Sequence, residues 1–447
     1  MMINFRVRQL LAITLLLNSV TLFATENHTY NLTQAIDHAL INNPDLQIME
    51  DRIAQAESQV GIALSSFYPN IKTGLFYEHT DNPSRAFGMI IAQRRLDFSP
   101  TTDFNHPGGT DNYRPEISAK LSLFRGGQDY FQTRAAQLGV EAATLEKSAA
   151  RNYLIQTVSS AFYAYLAATE ADKVASRSIN AVEIELRQSK NSYEAGSTLR
   201  SDVLSLEVQL AEAQDKKIQT ANAIEMAKIG LKSLLGLVAN EPFEINASSE
   251  WALPKNERSF DELLTLAMSQ RPETERASKQ IEMAEQQLKA TRGAYLPTAN
   301  AYVSYGSDSK DIDFSTNRDN VTAGVMVELD IFSGFRDSEK VKKAEHQVSI
   351  TKKMAKQNQL QIESAVKKSH LKLKEALARV NVTSSSVTAA NEAFRLVSEQ
   401  RKAGTVTVTR YIEAEVARDK SQSGNIAARF DALRAEAELN QAIGFWK

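Results

Sequence analysis

The chain has 447 residues, a formal net charge of −2 and no cysteine. This near-neutral balance gives no sign of nucleic acid or of any other polyanionic partner. Without cysteine the chain can form neither a disulfide framework nor a thiolate metal site, and it cannot carry a lipidated N-terminal cysteine. Its length is enough for two or three ordinary domains.

Residues 1–24 are typical of a secretory signal peptide. Arg6 and Arg8 give it a positive start, an apolar run follows at 10–17, and cleavage is expected after Ala24. The run is too short for a membrane anchor, and no later stretch has roughly 18 consecutive apolar residues. We therefore expect an exported chain without a transmembrane helix. A membrane β-barrel stays compatible with this pattern, because barrel strands give a weak hydropathy signal.

Two copies of one pattern follow each other along the chain. Residues 32–44 match residues 260–272 at an offset of 228, and Gly126, Gly196 and Gly236 each have a counterpart 208 residues later. Because the offset falls from 228 to 208 along the chain, the first copy is expected to contain a longer loop than the second. The order of the matches predicts a duplication with three parts: a first repeat at 25–237, a linker at 238–258 and a second repeat at 259–447.

Each repeat begins with a short amphipathic helix that ends before Pro44 or Pro272, where a second helix starts. The apolar period then changes from helical to alternating, which predicts two strands per repeat. The loops between the paired strands are expected to be external: 78–113, with an apolar patch at 87–91, and 307–319. The four predicted strands lie at about 69–79, 114–124, 297–306 and 320–332.

The alternation within these strands favours a membrane location. In the fourth strand Val321, Val325 and Val327 share one face, and Thr322 and Glu328 lie on the other. For one strand alone, a small soluble sheet on a helical core would be the simpler interpretation. Four such strands, each about as long as a tilted transmembrane strand and with tyrosines near the ends, favour the membrane.

Long helical stretches without proline follow the strand pairs, at about 128–195 and 336–403. At about 1.5 Å per residue each would be roughly 100 Å long, which requires partner helices. Gly196 and Gly404 are expected to end these helices as C-caps. The Ser and Thr residues that follow are expected to cap the returning helices. The sequence thus predicts two helical hairpins, at 128–237 and 336–443.

Four strands cannot close a membrane barrel. The smallest such barrels have about eight strands, and lipid does not tolerate an open strand edge. Two chains would give a barrel filled by its own side chains, whereas three would give a pore. The predicted fold is mainly α with a membrane β-barrel: a trimeric 12-stranded β-barrel continued by a 12-helix α-barrel of coiled-coil hairpins.

Two segments carry a resemblance to a known family. They are residues 123–127 (Leu-Phe-Arg-Gly-Gly) and the turn at 193–204, with Gly196 and Asp202. Over nearly the whole mature chain the sequence resembles the outer-membrane efflux protein family, the TolC-like channels of Gram-negative bacteria. The resemblance implies a homotrimer in the lipid of the cell outer membrane, with its helical part in the periplasm.

The same resemblance implies a passive exit duct. The duct would serve efflux of small molecules, as in multidrug export, or type I protein secretion. It would be coupled to an inner-membrane pump of RND or ABC type through a periplasmic adaptor, a membrane fusion protein. The pump would choose the substrate.

The resemblance also implies two sets of site residues near the helix turns. Adaptor docking falls on Gly196, Ser197, Val203, Gly404, Thr405 and Tyr411. The aperture and its gate fall on Asp202, Arg401, Arg410 and Glu413. Three positions depart from the family pattern: Arg410 stands where an acid is expected, Arg401 replaces an aromatic residue, and Val406 replaces a basic one.

These departures lead to a hypothesis about the gate. An ion pair between Arg401 and Asp202 of neighbouring hairpins would keep the turns closed. The alternative is that both are ordinary solvated charges, which contribute about 0–1 kcal/mol. A threefold ring of Arg410 should also weaken any cation preference of the aperture.

No pattern in the sequence indicates catalysis. The six histidines lack a second histidine three or four residues away, and neither G-x-S-x-G nor a phosphate-binding loop occurs. We therefore expect no enzyme activity, no cofactor and no metal. The alternative function is a periplasmic coiled-coil scaffold or adaptor without a membrane pore, although adaptors typically carry one hairpin and lack two strand pairs.

Overall fold

The computed structural model describes residues 29–103, 105–246, 251–255 and 257–446. The expected signal peptide at 1–24 lies outside these residues. In the described part of the chain, no helix combines the length and the hydropathy that crossing a lipid bilayer requires.

Helices make up most of the described residues. The first two and their later counterparts begin as the sequence predicts, with capping boxes at Asn31 and Ser259 and with proline at the start of the second helix of each pair. The nine described α-helices are α1 (Leu32–Asn42), α2 (Pro44–Leu64), α3 (Pro83–Ala92), α4 (Gln128–Glu194), α5 (Arg200–Leu235), α6 (Phe260–Gln270), α7 (Pro272–Arg292), α8 (Arg336–Lys402) and α9 (Val408–Ile443).

Helix α3 lies in a stretch that was expected to be an irregular loop. The side chain of Asn82 accepts a hydrogen bond from the backbone N–H of Arg85, and Pro83 occupies the first turn. Both features favour a helix start. The apolar residues that follow, with Ala86 and Met89 buried, give this short helix a packed face.

The described strands are β1 (Thr29–Tyr30), β2 (Asn70–Thr80), β3 (Thr110–Arg125), β4 (Glu244–Ile245), β5 (Thr298–Ser307) and β6 (Asp319–Glu328). The pair β1 and β4 was not expected, and β4 lies in the stretch predicted to be a linker. Strand β6 ends four residues before the predicted end of its alternating segment.

The chain divides into two compact units that cut across the predicted repeats. One unit contains Met1–Asn43, Leu154–Asn256 and Leu373–Ala437, and the other contains Pro44–Tyr153, Glu257–Lys372 and Glu438–Lys447. Each unit therefore takes helices from both repeats. The predicted repeats therefore do not coincide with the compact units.

The first unit contains the parallel pair of β1 with β4 and the two long helical turns. The indole of Trp251 packs edge-on against the rings of Phe162 and Tyr163, with centroids 5.9 and 5.6 Å apart. Gly236 ends α5 with a positive φ of 75°, and a side chain there would collide with the carbonyl of Asn42. The stretch after α5 is therefore packed against helices.

The second unit contains an antiparallel sheet of four strands in the order β2-β3-β5-β6. The central pairing of β3 with β5 joins the strand pairs of the two repeats. A register shift interrupts it between Ser122 and Phe124. Just beyond β3, Gly126 has a φ of 63°, and its Cα lies so close to the Gly293 carbonyl that a Cβ would collide.

Aligned residues on the four strands form alternating polar and apolar rows. One row contains Lys72, Ser118, Ser304 and Thr322. The adjacent row, on the opposite face, contains Ile71, Ala119, Val303 and Ala323. The apolar face is exposed in the single chain: Ile71 is 66% and Val327 is 67% accessible.

Candidate functional site at the two helix turns

The turn of each long helical hairpin has five residues, 195–199 and 403–407, and the second of them is a C-capping glycine. Gly196 and Gly404 have φ values of 73° and 72°. The backbone N–H of Ser197 donates to the Ser192 carbonyl at 2.8 Å, and that of Thr405 donates to the Gln400 carbonyl at 3.0 Å. This six-to-one hydrogen bond closes the end of a helix. The predicted C-caps are therefore present in both turns.

The hydroxyl groups of the turns bond in two ways. Ser197 and Thr405 donate side-chain hydrogen bonds back to the ends of α4 and α8, each at 2.9 Å. Thr407 accepts from the backbone N–H of Arg410 at 3.2 Å and so caps α9. Helix α5 begins after Leu199, which makes no side-chain cap. The expected hydroxyl cap is thus correct for the second turn and wrong for the first.

The six residues assigned to adaptor docking divide into two groups. Gly196, Ser197, Gly404 and Thr405 are exposed in the turns. By contrast, Val203 and Tyr411 are only 8% and 6% exposed. The structure therefore brings four of the six residues to the surface of the chain and places the other two inside it.

The two buried members pack in separate apolar clusters that hold the turns in place. Val203 belongs to a cluster of Val182, Leu186, Leu206 and Val408, which joins α4, α5 and α9. Tyr411 packs with Val397 and Ala414, and its ring lies 5.4 Å from that of Phe394. These contacts fix the shape of the turns, and the assignment of both residues to adaptor docking stays a prediction.

Arg401 makes its ion pair inside the chain. Its Nε donates to Oε1 of Glu185 on α4 at 2.7 Å, and the two side chains are 16% and 8% exposed. Asp202, half-buried, lies in the first turn of α5. Among the described residues the structure thus joins Arg401 to Glu185 and does not bring it to Asp202. The contact between neighbouring hairpins stays a prediction.

The other two residues predicted to lie at the aperture pair with each other on the surface of the chain. Arg410 and Glu413 lie one turn apart on α9, with Nη1 and Oε2 separated by 3.2 Å. Their side chains are 58% and 59% exposed. Such a pair contributes only about 0.3–0.5 kcal/mol to helix stability. Both charges are therefore accessible to solvent and to ions.

A buried acid on α9 is a site residue that the sequence analysis missed. Glu415 is fully buried and accepts a hydrogen bond from Ser178 Oγ at 3.2 Å. Its Oε2 has no hydrogen-bond partner among the described residues. Arg418 lies 3.6 Å away, bonds Asp419 at 2.8 Å and stacks over the Phe394 ring at 4.1 Å.

The spacing of α9 contains a signal for this residue. Val408, Tyr411, Glu415 and Arg418 follow each other at intervals of three, four and three, which is the period of a buried helix seam. A carboxylate on such a seam must be paired or neutralised. The position of Glu415 on this seam therefore predicts its burial.

Burial raises the pKa of Glu415 to about 7, and the nearby charge of Asp419 acts in the same direction. Arg418 and the Ser178 hydroxyl oppose this shift. Burial, followed by the charge of Glu415, also raises the pKa of Tyr411. The cluster behind the second turn therefore changes its charge near neutral pH.

A groove of about 740 Å³ lies between α4, α5 and α9. Apolar, charged and neutral polar side chains line this groove. The apolar ones are Ala171, Val174, Ala175, Ala213, Ala223 and Val416, and the charged ones are Glu212, Lys216, Asp419 and Lys420. A groove lined by apolar groups and by charges of both signs suits contact with a helix that carries a similar pattern.

In the described part of the chain no three or more His, Asp or Glu side chains are grouped so that they could hold a metal ion. The chemistry of the turns thus rests on ion pairs, packing and one buried acid.

Comparisons with known proteins give a consistent result. A family model described as outer membrane efflux protein matches residues 35–237 and 263–445. Outer membrane efflux protein BepC of Brucella suis is 24% identical over 447 residues, which cover 98% of this chain and 90% of the relative. Alkaline protease secretion protein AprF of Pseudomonas aeruginosa is 21% identical over 352 residues, which cover 76% and 72%.

Among solved structures, the CmeC outer membrane channel of Campylobacter jejuni superposes with a TM-score of 0.77. The likeness covers 94% of this chain and 86% of that one at 16% identity. At this level of identity the likeness shows that the two chains share a fold.

Glu415 should make stability depend on pH. Its folded pKa of about 7 lies above the usual value near 4.5, so the folded chain holds the proton more tightly than the unfolded chain. Stability is then expected to fall as pH rises from about 4.5 to about 7, and to stay lower above that range. At pH 8, Glu415→Gln should stabilise the fold by roughly 1–3 kcal/mol.

Unfolding of the purified protein, followed by circular dichroism at several pH values, measures this effect. The matched control is Glu413→Gln, which removes an exposed carboxylate two residues away and should leave the profile unchanged. Identical pH profiles for wild type and Glu415→Gln would contradict the assignment.

Proposed function

Because this chain belongs to the outer membrane efflux protein family, we propose that it forms the passive exit duct of an export system. It lies in the outer membrane of a Gram-negative bacterium, with its helical part in the periplasm. An inner-membrane pump would supply energy and choose the cargo, and a periplasmic adaptor would join pump and duct. No catalytic step is required of this chain.

The observation that carries the proposal is the two-faced sheet. Rows of polar residues on one face alternate with rows of apolar residues on the other, and the apolar face is exposed. A contiguous exposed apolar face is typical of a surface that meets lipid or another protein. With the polar face lining water, the sheet fits the wall of a membrane pore.

The number of chains follows from the edges of that sheet. Among the residues that the structure describes, strands β2 and β6 each have a neighbouring strand on one side only. Lipid does not tolerate such open edges, so further copies must pair with them. Three chains with four strands each give a barrel of 12 strands, which is wide enough to leave a lumen. We therefore propose a homotrimer.

The turns are proposed as the periplasmic aperture and the docking region. The exposed turn residues and the groove between α4, α5 and α9 present backbone, hydroxyl and apolar surface to an adaptor helix. Arg410 and Glu413 are exposed and, repeated in three copies, would form a ring of mixed charge. The Arg401–Glu185 pair holds the end of α8 against α4 and is the candidate closing contact.

Efflux of small molecules and secretion of a protein are both compatible with such a duct. BepC is named for efflux and AprF for secretion of alkaline protease. BepC matches a larger share of this chain than AprF does, which favours efflux. Secretion is the second candidate. Deletion strains distinguish the two: heightened sensitivity to small toxic compounds supports efflux, and loss of one secreted protein supports secretion.

The faces of the sheet can be tested with single cysteines, because the native chain has none. Thr322 and Ala323 are neighbours on β6, both exposed in the single chain, and they lie in a polar and an apolar row respectively. In intact cells a membrane-impermeant methanethiosulfonate reagent should label Thr322→Cys and leave Ala323→Cys unlabelled, because a thiol in lipid does not ionise.

The pair is its own control, since expression and strand position match. Equal labelling at both positions would exclude a lipid-facing surface, and labelling of Ala323→Cys alone would reverse the proposed orientation. Labelling at neither position would favour the periplasmic scaffold without a pore, because the reagent would not reach it.

The closing contact can be tested by single-channel conductance in planar lipid bilayers. Arg401→Ala should raise the resting conductance, because it releases α8 and leaves Glu185 buried without its partner, which typically costs about 3–5 kcal/mol. The double variant Arg401→Ala/Glu185→Ala also removes the carboxylate that would be left unpaired, so it should destabilise the fold less than Arg401→Ala alone.

Asp202→Ala tests the contact between hairpins. It should raise conductance only if Arg401 also reaches Asp202 of a neighbour. Unchanged conductance in Arg401→Ala would remove this residue from the gate.

A further inference from the structure

Helix α3 and the residues after it form a strap across one face of the sheet. Near its start, Arg85 pairs with Glu78 at the end of β2. Just after its end, the Gln93 side chain donates to the Asn112 side chain at 2.9 Å and to the Asp111 carbonyl at 2.8 Å, both on β3. Gln93 is only 1% exposed. The strap is therefore fixed to the first two strands of the sheet.

Arg94 connects the same strap to the last strand. Its guanidinium donates to the carbonyl of Asn317, which precedes β6, and to the carbonyl of Asp319 at 3.4 Å. It also lies 3.9 Å from the Asp319 carboxylate. Arg94 has a φ of 54°, a backbone conformation that a non-glycine residue rarely adopts. The strap thus reaches from one edge strand to the other.

The face beneath the strap is the polar one. Asn112 donates to Asp308 Oδ1 at 2.7 Å, Arg114 Nη1 contacts Oδ2 at 2.5 Å, and Asn320 donates to Oδ2 at 2.8 Å. Asp308 is 5% exposed. This network joins β3, the end of β5 and β6, and it forms a rigid floor. Between this floor and α3 lies a cavity of about 780 Å³.

The anchors differ in strength. Gln93 and Asp308 are buried, whereas the side chains of Arg85 and Arg94 are 65% and 62% exposed. Exposed ion pairs contribute little and are easily broken, while buried polar groups need their hydrogen bonds. The strap can therefore lift away from β6 without loss of the network on the floor.

We propose that this strap is a constriction at the outer end of the exit path, which limits the size of cargo that passes. The inference rests on the proposed function, because it requires the polar face to line the pore. Three copies of α3 would then project into the outer mouth, next to the longer external loops. Release of Arg85 and Arg94 would widen the mouth.

The test uses a cysteine placed on the polar face below the strap. Asn300 lies on β5 in register with Ser122 and Met326, near the opposite end of the sheet from α3. If the polar face lines a water-filled pore, thiol reagents outside intact cells should reach Asn300→Cys. A small impermeant methanethiosulfonate reagent should react with it whether or not the strap is intact. Polymer-linked maleimides should react with Asn300→Cys more slowly as their size increases, as long as the strap is intact.

Arg85→Ala/Arg94→Ala in the same background should speed the reaction with the large reagents roughly fivefold per anchor, a shift that corresponds to about 1 kcal/mol each. Lys310→Ala is the matched control. It removes an exposed positive charge from the loop between β5 and β6, outside the strap, and it should leave the rates unchanged.

The outcomes separate the two proposals. Large reagents that react at the same rate with and without the anchors overturn the strap and leave the duct intact. Failure of the small reagent to reach Asn300→Cys overturns the duct itself. Heat-resistant trimers on SDS gels verify that each variant is folded before labelling is compared.

Discussion

The structure depends on one constraint: in lipid, every backbone N–H and C=O group of a strand needs a partner within the protein. The sheet β2-β3-β5-β6 meets this need in its middle and leaves it unmet at both edges. Its apolar face is uncovered as well. Helices α4, α5 and α8 also leave apolar side chains uncovered. Ile184, Val208, Ile218 and Val382 are more than half exposed. In the proposed trimer, copies of the same chain would pair with the free edges of the sheet and cover the exposed apolar side chains of the helices.

Helix α9 has one face that packs inside the chain and another that is exposed to solvent. On α9, Val408, Tyr411 and Glu415 face inward, and Arg410 and Glu413 face outward. The inward set fixes the turn through apolar contacts and a buried acid. The outward set provides charge to solvent and to partners. Arg401 is bonded to Glu185, which fixes the end of α8 against α4. This contact is directional, whereas apolar packing is not.

Much of this was accessible from the sequence, because two periods dominate it. Alternation at 320–332 and the long stretches without proline predict the strands and the helices, and the capping glycines at 196 and 404 predict the turns. Sequence reasoning failed where contacts are not local. The partner of Arg401 is Glu185, 216 residues earlier in the chain. Val203 and Tyr411 are buried, although Leu204 and Arg410 beside them in the chain are exposed. Helix α3 lies in a stretch predicted to be a loop, because asparagine and proline are common both in loops and at helix starts.

The central claim is that three copies of this chain close one sheet, and native mass spectrometry of the mature protein, extracted from outer membranes in mild detergent, tests it most directly. The account predicts a single species with three times the mass of the mature chain, converted to monomer only on heating. A monomer, or a dimer that contains eight strands, would contradict it, because neither leaves a pore with every strand edge paired.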